Sequence, residues 1–408
     1  MMNHSPAKTQ SRARFSVTID YDPKRMELSR KRLQARDRFG PVDRVPVLFC
    51  LERRYFLPLL KCGFDEFVKD VETHYALQLQ YNKYRIENIV EDFCLDESVT
   101  VYPFFENVVN ASGMGGEIGW SDKETPRAIP IIKNVEDIDR LPIPETTAGL
   151  WGKRLQWWLR MKELAEQTEV IFNGHRGRVE VAPLDIGWEG PHMIAIDLAG
   201  ENFYLWMLEY PEACHRLMEK ITAGMIRAAT LFRQVDRRPR SVFGTAEDSA
   251  QIVSAEHFKS FVVPYDMKLY EAFGAGLEKG RGMHMCGDST HLHSALVEDL
   301  KITSFDLFGY RVTPEVAARN LGGKMLLWGN INPMLMLNGS KDEVKAASLR
   351  CLAALAPFGG LLLGDGANVC PGTPLENLAA LTEAAEEYSL TASNVSLSSS
   401  STAARVDA

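Results

Sequence analysis

Ser304-Phe305-Asp306-Leu307-Phe308, Lys324-Met325-Leu326-Leu327-Trp328-Gly329 and Leu361-Leu362-Leu363-Gly364-Asp365 are three short, nearly continuous apolar runs in the C-terminal third of the chain. Runs of this length without polar alternation suit strands buried on both faces. Between the second and third, residues 341–355 follow Gly339-Ser340-Lys341-Asp342, a helix start signal. Strand and helix in alternation build a parallel sheet, because parallel neighbours need a long crossover. Working towards the N-terminus, the same reading gives strands at 282–286, 241–245, 178–183, 98–104 and 45–51. A helix at 255–274 carries Phe258, Phe261, Val262, Tyr265 and Leu269 at helical spacing. Eight such strands predict an α/β fold closed into a (β/α)8 (TIM) barrel. The rival is an open doubly wound sheet, which is weakened because no Gly-x-Gly-x-x-Gly follows any strand.

Residues 105–168 form an insertion after the second strand. It holds Pro126, Pro130, Pro142 and Pro144 and then a helix, 150–166, with Trp151, Trp157 and Trp158. Tryptophans in such a helix are core residues or, in the alternative, anchors of a docking face beside the barrel mouth. The predicted layout is one catalytic domain, 16–388, between a disordered N-terminal arm (1–15) and a disordered Ser-rich tail (389–408).

The 408 residues are 45% hydrophobic and 25% charged, with a net charge of -8. That composition supports a real core and argues against a nucleic-acid footprint, which needs a basic face. No apolar run is long enough to span a bilayer, and the first fifteen residues have no secretory h-region. Seven cysteines, scattered from Cys50 to Cys370, fit a reducing compartment, and the cytoplasm is expected.

In a (β/α)8 barrel the chemistry gathers at the C-terminal ends of the strands. Those ends here carry Cys50, Glu52, Glu106, Asp185, Glu247, Asp248, His284, Cys286, Asp306, Tyr310, Asn330, Asn332, Asp365, Asn368 and Cys370. Such a polar crown is costly in a core and reasonable around a wet pocket. Glu247, Asp248, Asp306, Tyr310 and Asn330 are the catalytic candidates. Cys50, Glu52, Asp185, Asp365 and Asn368 are the substrate-binding ones. In Met283-His284-Met285-Cys286-Gly287-Asp288, His284 and Cys286 stand two apart in a strand and point the same way, one imidazole and one thiol of the kind zinc takes. The spacing alone reads equally as a satisfied core histidine beside a buried free thiol. Glu247 and Asp248 read equally as acids at a helix N-terminus. Arg53 and Arg54 are either anion-binding or solvated.

From about 242 to 388 the chain resembles the uroporphyrinogen decarboxylase superfamily, and within it the zinc-dependent, corrinoid-linked methyltransferase branch. The stretches that carry the resemblance are Glu247-Asp248-Ser249-Ala250-Gln251 with Val263-Pro264-Tyr265, His284-Met285-Cys286-Gly287, Trp328-Gly329-Asn330-Ile331-Asn332-Pro333, and Pro371-Gly372-Thr373-Pro374-Leu375-Glu376-Asn377. The resemblance implies a (β/α)8 barrel and a zinc ion held by His284, Cys286 and the distant Cys370. Cys370 stands closer to the Thr373-Pro374 segment than the corresponding cysteine of the methyl-transferring relatives. The decarboxylases follow their first strand with arginines that grip the substrate's carboxylates; Leu51 and Tyr55 occupy those positions, and Arg53 and Arg54 are out of register.

The function so implied is zinc-dependent movement of a methyl group between a corrinoid (cobalamin) protein and a small substrate: a methoxy compound, a thiol or a tetrahydrofolate. The chain has no Asp-x-His-x-x-Gly corrinoid motif, so a partner protein must present the cobalt; a homodimer is left open. The alternatives are a metal-free decarboxylase-like lyase and a catalytically silent member that binds a tetrapyrrole or a corrinoid protein.

Overall fold

The computed structural model describes residues 13–121, 124–276 and 280–403, with side chains described as far as Thr391. Eight strand positions follow one another in chain order around a closed (β/α)8 barrel. Phe243–Ala246, Arg281–His284, Ser304–Asp306, Leu326–Ile331 and Leu361–Asp365 form one parallel ladder. Ser98–Val101 pairs in parallel with His175–Val181. Single bridges, Glu189 to Ala246 and Val47 to Leu363, carry the circle on at either end of the five-stranded ladder. Every residue of Leu361–Asp365 is buried, as its unbroken apolar run requires.

The run at 45–51 contributes only that one bridge, and no backbone ladder joins it to Ser98–Val101 among the described residues. Two carboxylates bind it instead. Asp92 accepts from the Val47 N–H at 2.8 Å and Glu91 from the Phe49 N–H at 3.0 Å, while the Asp92 N–H donates to the Val47 carbonyl at 2.6 Å. Asp92 is fully buried and also receives Arg44, Arg32 and the Ser29 hydroxyl. Burial alone would raise its pKa, but Arg44 and the Val47 N–H outweigh that and hold the carboxyl below its usual range.

Several expectations are corrected. The helix expected over 255–274 is two helices, Ala255–Phe261 and Val263–Ala272, because Pro264 has no N–H to continue the first. The helix Gly149–Glu166 is not an elaboration over the mouth but part of the barrel's outer ring, packed on His175–Val181 and on the helix Val71–Asn88. Trp151 and Trp158 are fully buried and Trp157 nearly so; their indole N–H groups reach Asn110 and the Ala182 carbonyl, or the rings stack on neighbours. They are packing residues, and no docking face is built from them. What remains of the insertion is the stretch with a small antiparallel hairpin, Glu117–Gly119 with Arg127–Ile129.

Outside the barrel, Phe15–Ile19 lies parallel to Thr168–Phe172, which turns back into His175–Val181. Order therefore begins before the expected boundary at residue 16; residues 1–12 lie outside the described ones. At the other end the helix starting at Leu375 runs to Ala403, across the boundary expected at 389.

Candidate active site

Arg281–His284 ends on His284, and the chain leaves the sheet through Met285 and Cys286. One strand earlier, Phe243–Ala246 delivers Asp248. Asp248, His284 and Cys286 converge, each offering a ligand atom within 4.8 Å of the others. The Cys286 N–H donates to Asp248 Oδ1 at 2.7 Å, and His284 Nε2 stands 3.5 Å from Asp248 Oδ2. His284 Nδ1 lies 3.0 Å from the Asp306 carbonyl, which can only accept. Nδ1 therefore carries the proton, and Nε2 is the nitrogen available to a metal. Burial works against a charge on His284, but Asp248 and Cys286 outweigh it and raise its pKa well above the imidazole range. Despite burial, the same contacts hold the Asp248 carboxyl at about 2. A fixed anion, a thiol and an oriented imidazole form a donor set that suits zinc.

Beside this cluster a cavity of about 410 Å³ occupies the C-terminal end of the barrel. His284 and Asp306 line it on one side, Cys50, Glu52, Arg53 and Asn368 on another, and Glu106, Asp185 and Glu189 on a third. Phe49, Phe93, Tyr102, Phe104, Trp188 and Trp328 supply its apolar wall. The Cys50 thiol donates to Asn368 at 3.1 Å, and the Cys50 N–H to buried Asp365 at 2.9 Å. Burial, then Asp365, pushes the Cys50 thiol well above its usual range, so it is not a ready thiolate. Glu52 is paired with Arg54, and Asp185 with Arg154.

Five expected site residues have other roles in the structure. Asp365 is fully buried, does not line the cavity and accepts the Cys50 N–H. Glu247 is fully buried and receives the backbone N–H groups of His192 and Met193, anchoring the first turn of Pro191–Ala199, a helix other than the turn it leads into. Asn330 is buried, and its amide donates to the Gly309 and Val312 carbonyls, fixing the loop after Ser304–Asp306. Tyr310 is half-exposed, packed over Gly366 on the rim, and does not line the cavity. Cys370 is outside the cluster: its sulfur lies 4.0 Å from that of Met334, and Asp248 stands third with His284 and Cys286.

Sequence reasoning missed Glu189 altogether. It is buried, receives the Val109 N–H at 2.9 Å and Asn110, and burial pushes its carboxyl up to about 7. The signal was Gly187-Trp188-Glu189-Gly190, a strand-end turn just past the third strand.

A polar, metal-ready cluster opening on a cavity at the C-terminal end of a parallel barrel is the arrangement of an enzyme's active site. The chain belongs to the uroporphyrinogen decarboxylase (URO-D) family, whose model matches residues 29–388. It is 25% identical over 290 residues to a methylated-thiol–coenzyme M methyltransferase of Methanosarcina mazei, covering 70% of this chain and 71% of that one. It is 28% identical over 216 residues to a methylcobamide:CoM methyltransferase (MtaA) of Methanosarcina barkeri, covering 50% and 58%. A uroporphyrinogen decarboxylase of Coxiella burnetii is 28% identical over 365 residues, covering 86% and 92%. A solved methyltransferase from Methanosarcina mazei superimposes with a TM-score of 0.64 at 22% identity, covering 88% of this chain and 98% of that one, which supports the shared fold.

Proposed function

We propose that this protein moves a methyl group between a corrinoid carried on a separate protein and a small substrate seated in the barrel cavity, with zinc held at His284, Cys286 and Asp248. The observation that carries the reading is the convergence of those three side chains beside the cavity. Zinc held there would act as a Lewis acid, polarising the substrate's oxygen or sulfur and drawing off the charge that develops on it as the methyl group leaves. The chain's own groups do the rest. The Asp306 carbonyl fixes the His284 tautomer, Asp248 balances the cation's charge, and the aromatic wall excludes water and orients the substrate. The sequence relatives that move methyl groups to coenzyme M favour this chemistry. Free thiols at all seven cysteines suit the cytoplasm, and no helix among the described residues is long and apolar enough to cross a membrane.

The decarboxylase relative makes a lyase the second reading. The cavity favours the first. Of its three arginines, Arg85 is engaged by Glu91 and Arg154 by Asp185, which leaves Arg53 alone to meet a polycarboxylate. Eight carboxylates need more guanidinium partners than that.

The test is turnover of the purified chain with free cob(I)alamin and two methyl donors, 2-methoxyphenol and 2-(methylthio)ethanesulfonate. Methylcobalamin should form with at least one, and nothing should happen without the corrinoid. Methyl transfer in its absence, or decarboxylation of uroporphyrinogen, would overturn the proposal.

A further inference from the structure

Glu106 stands where the second strand position opens into the cavity, three positions round the barrel from His284, and both line that cavity. Its residue is only 6% exposed, and its Oε1 has no hydrogen-bond partner. Its backbone is held at φ 58°, a left-handed conformation uncommon for a residue with a side chain. Strain of this kind persists where the surroundings over-determine it and clusters at working sites. A buried carboxyl oxygen without a partner is costly, and neither packing nor capping explains it.

Its surroundings explain what it can do. Arg53 is nearly fully buried, stacked over Phe104 and bonded to the Tyr102 hydroxyl at 2.6 Å, with its own Nε unpartnered. The charged groups that act on Glu106 are Arg53, Glu52 and Arg54; Glu52 and Arg54 are committed to each other. Across the cavity Asp185 is held by Arg154, and Glu189 by backbone and Asn110. Asp306 lines the His284 wall, where burial, opposed by Arg36 and His284, raises its carboxyl; Glu106 is the cavity carboxyl away from the metal cluster that is left free to exchange a proton with a bound molecule. Burial, opposed by Arg53, pushes it up to about 7, so both protonation states are populated at neutral pH.

We propose that Glu106 is the proton-carrying catalytic residue of the methyl transfer, giving a proton to the substrate's oxygen or sulfur as the methyl group leaves and recovering it in the reverse direction. This rests on the function proposed above. In the demethylating direction the carbon–heteroatom bond breaks and its electron pair stays on the heteroatom, which takes the Glu106 proton. The new bond of the methyl carbon uses the electron pair of the reduced corrinoid, which is oxidised by two electrons. Glu106 is then reprotonated from solvent.

The experiment compares the zinc-loaded full chain with Glu106→Gln and Glu106→Asp, using cob(I)alamin and whichever of 2-methoxyphenol and 2-(methylthio)ethanesulfonate the wild type demethylates. Glu106→Gln should lower kcat by about 100-fold or more, with KM little changed. The wild-type rate should fall as pH rises through about 7, where Glu106 loses its proton, and that limb should vanish in Glu106→Gln. Glu106→Asp should be slow and keep the limb. Infrared difference spectra, which need no substrate, should show a carboxylic-acid band titrating near neutral pH in the wild type and missing from Glu106→Gln. Wild-type kcat in either variant sinks the inference, as does a pH limb that survives in Glu106→Gln. If the wild type demethylates neither probe, the function reading itself fails, a result distinct from these.

Discussion

Cys286→Ala should strip the protein of zinc and abolish methyl transfer while leaving the fold intact. Cys286 offers the only sulfur in the three-residue cluster, and its loss leaves an imidazole and a carboxylate to hold the ion. Thiolate is the strongest of these donors for zinc, so metal content should fall from about one equivalent to near zero after gel filtration. An open catalytic site contributes less to folding than a closed structural one. The thermal transition should therefore stay close to that of the zinc-free wild type. Elemental analysis decides the matter: full occupancy in Cys286→Ala would falsify the zinc assignment.

The largest stability effect is expected at Asp92. Replacing it with Ala removes the anion that faces Arg44 and Arg32 and the acceptor that binds the Val47 N–H. The buried Arg44 guanidinium loses its main counter-charge, Arg32 is left with Asp43 alone, and a strand amide inside the barrel loses its partner. Breaking a buried pair from one side typically costs about 3–5 kcal/mol. The midpoint of urea unfolding should fall accordingly, with the slope unchanged. Because the Asp92 pKa is depressed in the fold, its contribution is complete above the ordinary carboxylate range. It should be lost as pH drops through the lower, folded-state value. The gap between wild type and variant should therefore be full at neutral pH and narrow in acid. An equal gap at all pH values would mean that charge is not what Asp92 supplies.

The barrel was legible because its later strands carry nearly unbroken apolar runs, as the fully buried Leu361–Asp365 does. His284 and Cys286 were legible because residues two apart leave a strand end in the same direction. Other features turn on tertiary contacts that no local pattern records. Glu247 and Asp248 are neighbours in sequence, yet one anchors Pro191–Ala199 and the other faces His284. Arg154 lies inside a helix that reads from sequence as part of the insertion, and only the structure shows its guanidinium reaching Asp185 in the cavity. Phe15–Ile19 escaped notice because five alternating residues beside a basic, polar terminus read as chain end; its pairing partner is far away in sequence. For Cys370 the resemblance implied a metal-ligand role, and in the fold its sulfur lies beside that of Met334, apart from the three-residue cluster.

The side-chain staples at 45–51 have a consequence for how the molecule breathes. Most neighbouring strands in the circle are zipped by ladders of backbone pairs, whereas this junction, beyond one bond from the Asp92 N–H to the Val47 carbonyl, depends on two carboxylates that can let go residue by residue. It is a seam of the barrel, as is the junction carried by the single Glu189–Ala246 bridge. Amide hydrogens of Val47 and Phe49 should exchange with deuterium well before those of Leu326 and Leu327, which donate within the long ladder. The segment beyond the seam bears Cys50, Glu52 and Arg53, so each opening would slacken one wall of the substrate chamber while the His284 wall stays rigid. Admission of a bulky substrate would then be paced by the seam rather than by any loop above the mouth.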